Sequence, residues 1–133
     1  MIVVDTSAIM AILLNEVEAD RCIAALTAED DLLISSAIVA ETLVVASRRA
    51  VGDEAARLID GLGFEIVPVT AVTARHVAGA YARWGKGLHP AGLNFGDCFA
   101  YALARERGCP LLFVGGDFSR TDIASALAVG GSG

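Results

Sequence analysis

The 133-residue sequence predicts a single α/β domain, a short parallel β-sheet flanked by helices on both faces, and three observations predict it. Short apolar runs rich in β-branched residues alternate with longer stretches of helical period. Those runs are apolar throughout rather than alternating, which fits strands buried on both sides. A hydrophobic fraction of 55% over this length suits one core of ordinary size.

Taken in order, "MIVV" is the first strand, and residues of about 7 to 28 follow with helical period. "LLIS" is the second strand, ahead of a helical stretch of about 36 to 62. Ser35 and Ser36 can cap the third helix, and Gly61 and Gly63 close the fourth. "FEIVPV" is the third strand and about 70 to 84 the fifth helix. The turn-rich "GKGLHPAGLN" then leads into a sixth helix near 94 to 107, and "LLFV" is the last strand. No repeat or linker interrupts the pattern, and only the closing "AVGGSG" reads as a loose tail.

Composition excludes several classes. The mean hydropathy of +0.60 is high, yet the longest uncharged runs, such as Thr6 to Asn15, reach about ten residues where a bilayer span needs about 20. The start has no basic segment and Asp5 interrupts its apolar run, so no secretory signal is read and the cytoplasm is the expected compartment. Cys22, Cys98 and Cys109 form no CxxC pair and are odd in number, against a disulfide framework or zinc site. A net charge of -6 disfavours nucleic acid as a partner unless carboxylates gather around cations, which would lower the effective charge of the site.

The acids are placed to do that. In an open parallel sheet ligands bind beyond the carboxyl ends of the strands, and Asp5 and Asp117 both sit at such ends, although Asp also starts turns and caps helices. Glu41 is the only charge in "AIVAETLVVA", and at helical spacing it keeps company with Ala37, Ile38, Val44 and Val45. Burying it unpaired would be costly, and its alternative partners Arg48 and Arg49 lie two turns away. Asp97 stands in the first turn of the sixth helix, three residues after the capping candidate Asn94. Four acids converging on one sheet edge would repel one another and invite cations. Oxygen-only ligation favours Mg²⁺ or Mn²⁺ over zinc, and such ions commonly perform phosphoryl chemistry.

The segments "VVDTSAI", "AETL", "LNFGDCFAYALA" and "LLFVGGDFSRTDI", in this order over nearly the whole chain, resemble the PIN-domain ribonucleases, specifically the VapC-like toxins of bacterial toxin–antitoxin pairs. The resemblance implies a PIN-like nuclease domain over 1–128 with a flexible tail over 129–133, a metal-dependent endoribonuclease activity, and inhibition by a cognate VapB-type antitoxin. Carried over by motif, Asp5, Glu41, Asp97 and Asp117 form the catalytic quartet. Asp5 and Asp97 would ligate Mg²⁺ (or Mn²⁺), Glu41 and Asp117 would do so directly or through water, and Thr6, Ser7 and Asn94 would support them. Family members often carry Asp or Asn where this chain has Gly116, and Asp122 either shares the role of Asp117 or caps a last helix. One or two ions would activate water for in-line attack on an RNA phosphate, leaving a 5′-phosphate product. Attack by external water needs no 2′-hydroxyl, so RNA as substrate rests on the resemblance alone.

Arg83, Lys86 and Arg120 flank the loops near the acidic edge and are candidates for phosphate contacts, while Tyr101 and His89 are read as core and loop residues first. The resemblance also implies a homodimer. Two other functions compete. A phosphatase of the haloacid dehalogenase type would want a second acid two residues after Asp5, where Ser7 stands, and would leave Glu41 unexplained. A catalytically degenerate PIN-fold binding module is the non-enzyme alternative, against which stands the presence of all four acids.

Overall fold

The computed structural model describes residues 1–127; the expected tail over 129–133 lies outside the described residues, as does the domain end at 128. Four strands, β1 (Ile2–Val4), β2 (Leu32–Ser35), β3 (Glu65–Val67) and β4 (Leu111–Leu112), form one parallel sheet in the order β3-β2-β1-β4. Six helices connect them: α1 (Thr6–Leu13), α2 (Ala19–Ala28), α3 (Ser36–Arg48), α4 (Gly52–Gly61), α5 (Ala71–Trp84) and α6 (Phe95–Arg107). The chain steps outward from β1 through β2 to β3, then returns across the sheet to place β4 on the free side of β1. With right-handed crossovers this reversal puts α1–α4 on one face and the α5–α6 pair on the other, and opens a crevice beside the end of β1.

The centre of the sheet is apolar on both faces because both are covered: Val3, Val4, Leu33, Ile34, Leu111 and Leu112 are fully buried. At the edge strand β3 the pattern breaks, and Glu65 and Ile66 are exposed. The opposite edge is closed by the chain itself, since Leu111 N–H donates to Ala124 O and Ala126 N–H to Leu111 O, both at 2.9 Å. The expected strand "LLFV" stops at Leu112 because the next ladder group, Val114 N–H, donates to the Ser7 hydroxyl at 3.0 Å instead of to a strand.

Capping follows the sequence closely. Ser35 Oγ accepts from Ala37 N–H at 3.2 Å and caps α3, while Ser36 Oγ accepts from Val69 N–H. Stretch 7–28 divides where Asn15 takes a left-handed conformation (φ 52°) after α1. The three cysteines are free, and among the described residues no helix is long and apolar enough to cross a membrane.

α5 and α6 are pinned by a polar chain inside an apolar contact. Trp84 Nε1–H donates to Tyr101 Oη at 2.9 Å, and the Tyr101 hydroxyl donates to Asp122 Oδ1. The ring of His89 meets Trp84 edge-on at 4.7 Å, with Nδ1 accepting from Ala91 N–H. Tyr101 and His89 are thus held by the protein. Tyr101→Phe leaves the buried indole N–H without a partner, and urea denaturation is expected to show a loss of about 1–3 kcal/mol; an unchanged midpoint would mean the chain contributes nothing.

Candidate active site

Asp5 leaves β1 and caps α1. Its Oδ2 accepts from Ser7 N–H (3.1 Å) and from the Ser7 hydroxyl (2.7 Å), and that hydroxyl oxygen is the acceptor for Val114 N–H. Ser7 therefore ties the carboxylate to the chain that runs from β4 toward Asp117. The other oxygen, Oδ1, is buried with no hydrogen-bond partner. Burial pushes the Asp5 carboxyl up to about 6, with the charge of Glu41 adding to it and the Ser7 bonds opposing it.

Asp97 is the third residue of α6, in a reciprocal capping box with Asn94. Asp97 N–H donates to Asn94 Oδ1 at 2.8 Å and Asn94 N–H to Asp97 Oδ2 at 3.0 Å. The structural and the site roles of Asp97 thus coincide, since the cap fixes the orientation of the carboxylate. Its carboxyl is pushed up to about 7, first by burial and then by the charges of Asp5, Asp117 and Glu41, against the Asn94 bond.

Glu41 reaches the same place from the middle of α3. Its Oε1 accepts from the Thr6 hydroxyl at 2.5 Å, and the hydroxyl of the fully buried Thr42 donates to Thr6 Oγ1 at 3.0 Å. The apolar company expected for Glu41 divides: Ile38 is buried and Val44 is 60% exposed, with the carboxylate turned inward between them. Opposite stands Gly96. A Cβ there would fall 2.0 Å from Glu41 Oε2, so a larger residue would push the carboxylate away from the first turn of α6.

Asp5, Glu41, Asp97 and Asp117, with Thr6, Ser7 and Asn94, line one cleft of about 270 Å³. Asp117 is exposed at its mouth. The other candidate for the fourth position, Asp122, is elsewhere: its side chain receives the Tyr101 hydroxyl and lies 3.8 Å from the guanidinium groups of Arg83 and Arg105, which hold its carboxyl below the usual range. It caps no helix among the described residues either.

None of the three candidate phosphate contacts lines this cleft. Arg83 lies over the Trp84 ring at 4.6 Å and beside Asp122. Arg120 donates to Pro90 O at 3.3 Å, and Lys86 is exposed in the connection from α5 to α6. Basic residues near a loop in sequence need not face the strand ends. Gly96 and Thr42 are the two residues that the sequence reading passed over. Neither carries a local signal, because the role of each shows only once α3 is packed against α1 and α6.

The donor set suits a divalent cation. It is all oxygen, one buried oxygen of Asp5 has no partner, and two carboxyls are raised where a cation would favour their ionised forms. Among the described residues no three Asp, Glu, His or Cys side chains are gathered closely enough to hold an ion by protein atoms alone. An ion bound here would need water to complete its shell.

Residues 2–124 match the model of the PIN domain. The ribonuclease VapC30 of Mycobacterium tuberculosis is 44% identical over 127 residues, covering 92% of this chain and 96% of the relative. Among solved structures, VapC20 of M. tuberculosis, described as a sarcin-ricin-loop-cleaving toxin, superposes with a TM-score of 0.76 at 19% identity over 93% of this chain and 97% of that one. VapBC2 of Rickettsia felis, bound to a DNA fragment from its promoter, superposes with a TM-score of 0.68 at 18% identity over 94% and 96%.

Proposed function

The chain belongs to the PIN-domain family, and from that premise we infer that it is a divalent-metal-dependent endoribonuclease acting as the toxin of a VapBC-type toxin–antitoxin pair. The observation that carries this reading is the convergence of Asp5, Glu41, Asp97 and Asp117, from four separate segments, on one cleft. Relatives named ribonucleases support RNA as the substrate, and a solved toxin–antitoxin assembly of the same fold supports a cognate antitoxin as partner.

A bound divalent cation, Mg²⁺ or Mn²⁺, would polarise the scissile phosphate and make hydroxide available near neutral pH. The residues of the chain supply position. Asp5, fixed by Ser7, offers its partnerless Oδ1, and Asp97, fixed by Asn94, offers the oxygen its cap leaves over. Glu41 has one oxygen engaged by Thr6 and the other facing Gly96, which suits contact with the ion directly or through water. Asp117 at the mouth is suited to the same role from the solvent side. Oriented water attacking in line leaves a 5′-phosphate and a free 3′-hydroxyl. Exposed Val44 and Phe95 beside the acids support a homodimer, and the cytoplasm, where RNA and antitoxin are both made, is the fitting compartment.

The test is cleavage of labelled RNA in Mg²⁺ and in EDTA, with the product ends sequenced, for the native chain and for Gly96→Ala. Cleavage in Mg²⁺ alone, with 5′-phosphate ends, is the expected result. Gly96→Ala is expected to lower the rate by about 10²-fold, about 2.7 kcal/mol, with little change in melting temperature, because the clash with Glu41 is offset by the better helix former. RNA bound without turnover in Mg²⁺ would establish the binding-module reading in its place.

A further inference from the structure

We propose that the groove between α5 and α6 is a second RNA-binding site, one that takes backbone phosphates of the same RNA outside the acid cleft; the proposal rests on the ribonuclease reading above. The groove has a volume of about 430 Å³. Its floor is made of small residues, Gly79, Ala80 and Ala102, and its rims carry Arg75 and Arg83 from α5 and Arg105 from α6. Glu106 is the single carboxylate lining it. In a chain with 16 acidic and 10 basic residues, this is a concave surface with a local excess of arginine.

The arginines are presented rather than loose. Arg83 is laid over the Trp84 ring, and Arg83 and Arg105 reach from opposite walls toward one Asp122 oxygen at 3.8 Å each, beyond hydrogen-bond distance. Both side chains stay more than half exposed, so their donors remain open to another oxyanion. Arg75 makes no ion pair among the described residues. It stands eight residues before Arg83, about 12 Å along the helix axis, so the two can meet different phosphates.

What the groove lacks also selects its ligand. Trp84 and Tyr101 are 8% and 5% exposed, so neither offers a face on which a base could stack, and the exposed His76 is the one ring at the groove surface. With three arginines against that single ring, contacts there would be mainly to the backbone, and binding would depend little on sequence. The position fits an extended substrate: Tyr101, on the groove wall, is one turn of α6 after Asp97 in the cleft. An RNA with its scissile phosphate at the acids could lay a neighbouring stem along the helix pair.

The experiment measures fluorescence anisotropy of a labelled RNA stem-loop over a range of KCl, in an Asp97→Asn background, with and without Arg75→Gln and Arg105→Gln. The double variant is expected to bind at least about tenfold more weakly at low salt, with a salt slope shallower by about 1.5, the share of two phosphate contacts. Arg75→Gln alone, which disturbs no ion pair, should give about half that change in slope. With Asp97 restored, the double variant should cleave a short single-stranded oligonucleotide at the native rate. Unchanged affinity and slope for the stem-loop overturn the proposal. So does normal RNA binding joined to loss of a co-purified antitoxin, which would assign the groove to an acidic peptide. If the native chain binds the stem-loop in this arginine-dependent way but cleaves no RNA, the groove stands and the nuclease reading falls.

Discussion

Replacing Asp97 by asparagine is expected to lower RNA cleavage by about 10³-fold or more and, in EDTA near neutral pH, to raise the melting temperature. The first effect is the loss of a charged ligand where several kcal/mol of transition-state stabilisation are supplied, about 4 kcal/mol for 10³. The second follows from the environment of the group. Asp97 is almost fully buried, surrounded by the charges of Asp5, Asp117 and Glu41, and its carboxyl is raised to about 7. Its ionised form is a burden on the empty fold, and asparagine removes it while keeping an oxygen to accept from Asn94 N–H. Cleavage assays and thermal melts of both proteins check the pair of effects. A variant that is inactive because it has lost stability would defeat the assignment, for then Asp97 would matter as a helix cap alone.

In the absence of divalent metal, stability is expected to fall as pH rises from about 4 to about 8, and Mg²⁺ is expected to restore it on the alkaline side. Asp5 and Asp97 titrate at about 6 and about 7 in the fold, against 3.8 for the free side chain. Between those values the folded chain binds more protons than the unfolded one, so raising the pH favours unfolding, and the loss is complete above the folded values. A cation that binds only the folded, ionised cluster adds about 2.7 kcal/mol at a hundredfold excess over its dissociation constant. Melting temperature against pH, in EDTA and in millimolar Mg²⁺, is the measurement. Parallel curves in the two conditions would remove the preformed cation site.

Both results depend on acids that the sequence could place but whose surroundings it could not. Asp5, Asp97 and Asp117 were legible because a strand end and a helix start fix where a residue lies on an α/β sheet. Glu41 was legible as a charge on an apolar stretch. The partners of these acids were not. That Ser7 donates to Asp5 while accepting from Val114, 107 positions away, is a matter of sheet order, and no local pattern encodes it. Gly96 offers nothing until α3 is seen opposite it. Asp122 shows the reverse error. Its nearness in sequence to Asp117 suggested a shared role, yet the turn between them delivers it to Arg83, Arg105 and Tyr101. The place of the basic residues relative to the cleft was not legible either, since exposed side chains on loops and helix surfaces carry no periodic signal of which way they face.

The bond from Val114 to Ser7 and the pairing of β1 with β4 also bear on how the chain is made. Asp5 is made about a hundred residues before β4 and Asp117. A partly synthesised chain has no complete cleft, however well its leading strands and helices have formed. Contacts of such long range are slow to close and come late in folding. The cleft is therefore complete only once β4 has been made and has paired with β1, and a chain stopped before β4 is expected to cleave no RNA.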